Sequence, residues 1–114
     1  VGIAATFEIG FPLPPDRTAG EIEGYHCWAQ FYLDGVGWVP VDTSEANKHP
    51  DRRENFFGAH DPHRVLFTLG RDITLQPPQQ GPPLNYFIYP YVEVDGQPFD
   101  HVDHRFRFED VDQN

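Results

Sequence analysis

Twelve prolines and ten glycines are scattered through 114 residues, and that punctuation leaves no room for a long helix. A proline inside a helix removes a backbone hydrogen bond and clashes with the preceding turn, while glycine loses the most backbone entropy on ordering. A helical bundle is thereby excluded. The segments between these breaks are rich in rings, with ten Phe, five Tyr and two Trp, side chains that suit a half-buried pleated surface. The length fits one domain and is short for two, since independent cores need on the order of 100 residues. The expectation is an α+β fold that is mainly antiparallel sheet with little helix.

Eighteen acidic residues against eight Lys and Arg give a formal charge of -10. Such a surface repels a phosphate backbone and an anionic bilayer alike, which argues against nucleic-acid and membrane partners. No stretch approaches the roughly 20 apolar residues of a membrane-spanning helix, and no charged-then-apolar leader opens the chain. A soluble protein is expected. The single Cys27 cannot close an internal disulfide, and this tips the compartment slightly towards the cytoplasm.

Residues 1–10 read as a strand that begins without a start signal, as if in mid-domain, and residues 11–20, with three prolines, read as a loop. Residues 24–33 alternate, placing Tyr25, Cys27, Ala29 and Phe31 on one face and His26, Trp28, Gln30 and Tyr32 on the other. Asp34-Gly35 marks a turn, and Trp38 to Asp42 resumes an extended pattern, so the two runs should form a hairpin. Thr43 or Ser44 could cap a short helix that Pro50 limits. Residues 64–69, 73–75, 85–94 and 99–108 are the remaining strand candidates. Residues 76–83 form a Pro- and Gln-rich loop between them, and Asp95-Gly96 is a second hairpin turn. These runs add up to about five to seven strands.

The run Gly24-Tyr25-His26-Cys27-Trp28-Ala29-Gln30-Phe31-Tyr32, followed by Gly37-Trp38-Val39-Pro40-Val41-Asp42, resembles the transglutaminase-like superfamily. In that family a strand reading His-x-Trp-x-Glu/Gln-x-Tyr precedes a Gly-Trp-x-x-x-Asp strand. The preceding Gly2 to Phe11 run looks like the strand that follows the family's nucleophile helix, and the segments from Arg71 and from Pro82 to Gly96 are similar, less specifically, to the later half of bacterial members. The resemblance implies that residues 1–114 are a single partial domain, the C-terminal β-rich part of a papain-related thiol enzyme. It makes His26 the catalytic base and Asp42 its orienting carboxylate. It also implies a peptide or protein amide as the substrate, through hydrolysis, deamidation or transamidation. The nucleophilic cysteine would precede this chain, which is expected to be inactive alone.

Those residue types suit the chemistry. A thiol is mostly protonated near neutral pH, so an imidazole must take its proton and later return one to the leaving group. A carboxylate on the other ring nitrogen fixes the tautomer and the orientation. Strand parity gives a test: a three-residue turn of Asp34, Gly35 and Val36 puts Tyr32 opposite Trp38 and Trp28 opposite Asp42. His26 then lies diagonal to Asp42 on one face, whereas a two-residue turn would put them on opposite faces unless a bulge restored the parity. Cys27, adjacent to His26 in a strand, must point to the opposite face and is expected to be a small buried apolar residue rather than the nucleophile.

The other notable residues have plainer expectations. Trp28 and Trp38 should pack the hairpin, and Glu8 and Gln30 should be solvated or local hydrogen-bonding groups. His60-Asp61-Pro62-His63 and Asp100-His101-Val102-Asp103-His104 hold ligand-type residues without a recognised metal spacing, so exposed loops are expected there, with no metal and no cofactor. The acidic tail, residues 109–114, reads as a solvated terminus. Two alternatives stand beside the enzyme reading: a binding or scaffold domain that keeps the fold without the chemistry, and a metal-binding β module. Apolar surface left by a missing nucleophile segment makes self-association a further expectation.

Overall fold

The computed structural model of the chain describes residues 2–112; Val1 and the last two residues of the acidic tail lie outside them. A four-stranded antiparallel sheet forms the centre, in the order β4-β3-β1-β5. Strand β1 is Ala5–Pro12, β3 is His26–Leu33, β4 is Gly37–Val41 and β5 is Arg64–Leu69. The β3–β4 hairpin turns through Asp34, Gly35 and Val36, with Leu33 paired to Gly37 and Tyr32 to Trp38. Gly35 supplies a positive φ of 78°, which glycine tolerates without a steric penalty. The expected α+β class, mainly antiparallel, is what the chain adopts.

Alternation gives the sheet two different faces. Ile9 pairs with Cys27 on the face where Ile9, Phe11 and Ile88 form the buried cluster, with Phe7, Ile22, Cys27, Tyr89 and Phe106 packed around it. Strand β2 (Ala19–Ile22) pairs with β8 (Phe106–Glu109) and brings Ile22 and Phe106 into that cluster. The opposite face carries Glu8 against Trp28 and Gly10 against His26. After β4 the chain passes into α1 (Thr43–Lys48), a 3-10 turn at Pro50–Arg52 and α2 (Arg53–Phe56).

The β1–β5 register shifts between Ile9 and Gly10: Ile9 pairs with Thr68, whereas Gly10 pairs with Leu66. The residue skipped is Phe67, so Phe67 and Thr68 both reach the core face. There Phe67 packs on Phe11 and Phe87, and Thr68 Oγ1 donates to the Phe87 carbonyl. Such a bulge reverses the facing of every residue beyond it. Arg64, paired with Pro12, is thereby turned to the face that carries His26. Gly10 permits the close approach, since a Cβ there would collide with the Val65 carbonyl and the Trp28 ring.

Several expectations need correction. Of the loop expected at residues 11–20, Phe11 and Pro12 extend β1, and Ala19 and Gly20 open β2, because their partner β8 arrives from the far end of the chain. Residues 73–75 make only a single bridge, Ile73 to Leu84. The aromatic run 85–94 is irregular except for β6 (Glu93–Val94), paired with β7 (Gln97–Pro98) around Asp95-Gly96. Within 85–92 side chains take the place of ladder bonds: Ile88 is buried, Asn85 accepts from Arg71, and Pro90 has no N–H to donate. Of residues 99–108, strand geometry is confined to β8.

Candidate functional site

The geometry begins with the turn. The β3–β4 ladder runs back from Tyr32–Trp38 to Ala29–Val41, and its next step sets Trp28 beside Asp42. His26 is then the diagonal neighbour on the same face, and its Nε2 lies 2.7 Å from Asp42 Oδ2. The expected contact is present. An ionised carboxylate can only accept, so the nitrogen facing it, Nε2, carries a proton, and in the neutral ring the lone pair then sits on Nδ1.

Asp42 also caps the helix that follows. Its Oδ1 accepts from the Glu45 backbone N–H at 3.0 Å and from Ser44 Oγ at 3.2 Å. The cap is thus one residue earlier than Thr43, because pairing ends at Val41 and Asp42, at φ -128° and ψ 89°, already turns the chain. One fully buried side chain serves both the strand-to-helix junction and the imidazole. Its position is fixed from two directions.

Arg64 supplies the remaining partner. Its Nη1 donates to Asp42 Oδ2 at 3.0 Å and its Nη2 to Asp61 Oδ2 at 2.7 Å, while the guanidinium lies 4.8 Å from the Trp28 ring centroid. Burial pushes the Asp42 carboxyl up, but the Glu45 amide, His26 and Arg64 together outweigh it and hold the group below its ordinary value. Asp61 behaves similarly: burial raises it, and Arg64 with the His63 amide lowers it further. No sequence motif marks Arg64, since its role depends on the bulge in β5.

Beneath the pair sits a buried polar bridge. Trp28 Nε1–H donates to Glu8 Oε2 at 2.5 Å and Gln30 Nε2–H to Glu8 Oε1 at 2.6 Å. Glu8 is 2% exposed, so it is a hydrogen-bonding group and not a solvated one. Trp28 does more than pack the hairpin: it lies 6.0 Å from the His26 ring and 5.9 Å from the His60 ring, centroid to centroid. Trp38, by contrast, packs on Tyr32 at the hairpin surface. Cys27 lies against the hydrophobic cluster on the far face, where burial pushes its thiol up.

The His26 face opens into a cleft of about 680 Å³ whose walls include Leu13, Tyr25, His49, Arg52 and His63. A second hollow of about 470 Å³, between Val41, Ala46 and Phe57, contains neither member of the pair. Among the described residues no group of three or more His, Cys, Asp or Glu is arranged to hold a metal ion. His60 lies 3.4 Å from the Val41 carbonyl, Asp61 pairs with Arg64, and His104 stacks on Tyr89 at 4.3 Å. His63 and His101 are exposed. No described helix is long and apolar enough to cross a membrane.

The segment that builds this pair, from β1 through the end of β4, decides the comparison with known proteins. Residues 1–43 match the transglutaminase-like superfamily. The match ends one residue beyond Asp42, so both members of the pair fall inside it. An uncharacterized protein of Haemophilus influenzae is 37% identical over 93 residues, an alignment covering 70% of this chain and 25% of the relative. The chain therefore spans about a quarter of the length of the curated relative it matches. No solved structure matches the chain.

Proposed function

We propose that the chain carries the base and orienting carboxylate of a thiol-dependent acyl-transfer site of the transglutaminase-like kind, acting on a peptide or protein amide. The observation behind this reading is the 2.7 Å contact between His26 Nε2 and fully buried Asp42. In this scheme Nδ1 takes the proton of a cysteine thiol and the thiolate attacks the amide carbonyl. The imidazolium returns the proton to the departing amine, and a thioester remains. Water or a second amine then releases the acyl group, which gives hydrolysis, deamidation or transamidation. Asp42 holds the tautomer and stabilises the imidazolium without itself taking the proton.

Cys27, the one cysteine in the sequence, cannot be this nucleophile, because it occupies the opposite face of β3. The thiol must come from outside these 114 residues. The experiment is to label the longer protein that contains this chain with an iodoacetamide-type reagent at mildly acidic pH. A thiol paired with His26 reacts there as its thiolate, and His26→Ala removes most of that reactivity. Labelling confined to Cys27, or unchanged in the His26→Ala variant, would favour a scaffold that keeps the fold without the chemistry.

A further inference from the structure

We propose that Arg64 is a positioning residue of the His26–Asp42 pair, its guanidinium fork spanning Asp42 and Asp61 so that Asp42 stays charged and its Oδ2 stays aimed at the imidazole. The consequence for catalysis rests on the functional reading above, whereas the electrostatic part stands on its own. Asp42 Oδ2 receives two donors, His26 at 2.7 Å and Arg64 at 3.0 Å, while Oδ1 is committed to the helix cap. Removing Arg64 would leave that oxygen held by His26 alone. A buried carboxylate held only by His26 and by the neutral donors Glu45 N–H and Ser44 Oγ lacks a permanent positive charge beside it, and burial favours its neutral form. Once protonated, it would lose the negative charge that strengthens its hold on the proton-bearing Nε2 and stabilises an imidazolium.

Arginine is the residue type that can do this. Its planar fork reaches two carboxylates at once and stays charged throughout the accessible pH range, whereas a lysine is a single point of charge. The Arg64 side chain is only 10% exposed, and its Nε is buried without a partner, so the two terminal nitrogens carry all its hydrogen bonds. Asp61 fixes the far end and belongs to the loop walling the cleft, which ties the loop to the pair. The charged and titratable groups around Asp42 are His26 from β3, Glu45 from α1, Arg64 from β5, and His60 and Asp61 from the preceding loop. Among them Arg64 is the permanent cation in contact with the carboxylate.

The test follows the Asp42 carboxyl by carbon-13 NMR titration in the full chain, which requires neither nucleophile nor substrate. Arg64→Met keeps the hydrocarbon over Trp28 but removes charge and fork. The Asp42 midpoint should rise towards the ordinary carboxylate value in this variant and return part of the way in Arg64→Lys. A midpoint that stays put in a folded Arg64→Met protein overturns the proposal. If that variant does not fold, Asp42→Asn combined with Arg64→Met decides the matter: recovered folding supports charge balance between the two, and continued failure refutes it. In the longer protein the same single variant should lower kcat with KM little changed. Loss of the enzyme reading, seen as thiol labelling indifferent to His26, would leave the titration result intact, so the two failures are distinguishable.

Discussion

Asp42 receives four hydrogen bonds from groups on three sides, from Glu45, Ser44, His26 and Arg64, and this sets its pH behaviour. Its carboxyl lies below the ordinary value when folded, so its stabilising contribution is complete above the unfolded-chain value and is lost as pH falls through the depressed one. Denaturant midpoints should therefore drop on acidification. Asp42→Asn should lower stability at neutral pH, at or below the roughly 3–5 kcal/mol typical of breaking a buried ion pair, and should flatten the acid dependence. An acid profile identical to the parent's would contradict this. Glu8 makes a second residue-scale case. Trp28→Phe removes the indole donor and leaves Oε2 buried without it, a cost of about 1–3 kcal/mol, measurable by urea unfolding. Adding Glu8→Met to that variant should recover part of the loss, because an apolar side chain leaves no polar atom stranded. Neither Glu8 nor Arg64 was legible as a site residue, since each acquires its role from a partner at least twenty positions away.

At the scale of elements, the bulge between β1 and β5 is the device that assembles the site. It moves Phe67 and Thr68 together to the core face and swings Arg64 to the His26 face, and Gly10 is what allows the strands so close. Gly10→Ala should force a methyl into the Val65 carbonyl and the Trp28 ring. Overpacking of this kind costs about 1–3 kcal/mol, and here it should also disturb the Arg64–Asp42 contact. Chemical denaturation together with the Asp42 titration would detect both effects. A variant with parental stability and an unmoved Asp42 midpoint would mean that the bulge tolerates a side chain. The β3–β4 hairpin, by contrast, was readable in advance, because Asp34-Gly35 marked the turn and alternation set the faces of β3, while the three-residue length of the turn, which puts Asp42 on the His26 face, came from the observed register. The strands expected at residues 73–75 and over 85–92 failed for a physical reason: β propensity describes a side chain's fit to a pleated surface, and beyond the Ile73–Leu84 bridge no partner strand lies beside them.

Across the whole molecule the core is thin. The described residues bury seven hydrophobic side chains and expose fifteen large ones, among them Val65, Leu66 and Leu69 along the edge strand β5. The radius of gyration is 16.8 Å, against about 13 Å for a compact chain of this size. The 114-residue chain by itself should therefore melt at or below the low end of the roughly 45–65 °C range of mesophilic domains and bind a hydrophobic dye. Calorimetry and dye titration would check this, and a high melting temperature without dye binding would contradict it. The same chain should show no turnover of glutamine or peptide amides, because its one thiol lies across the sheet from His26. Turnover that survives His26→Ala would point to different chemistry.

The sequence by itself determined the antiparallel class, the β3–β4 hairpin and the shared face of His26 and Trp28. All of these depend on local rules: turn chemistry, a period of two, and the exclusion of helix by proline and glycine. Only the tertiary structure decided that Asp42 rather than Thr43 or Ser44 caps α1, that Glu8 is buried beneath Trp28, and that Arg64 completes the pair. Each of these rests on a pairing register or a bulge between segments distant in sequence. A one-residue shift there reverses every face beyond it, and no local pattern records where such a shift falls.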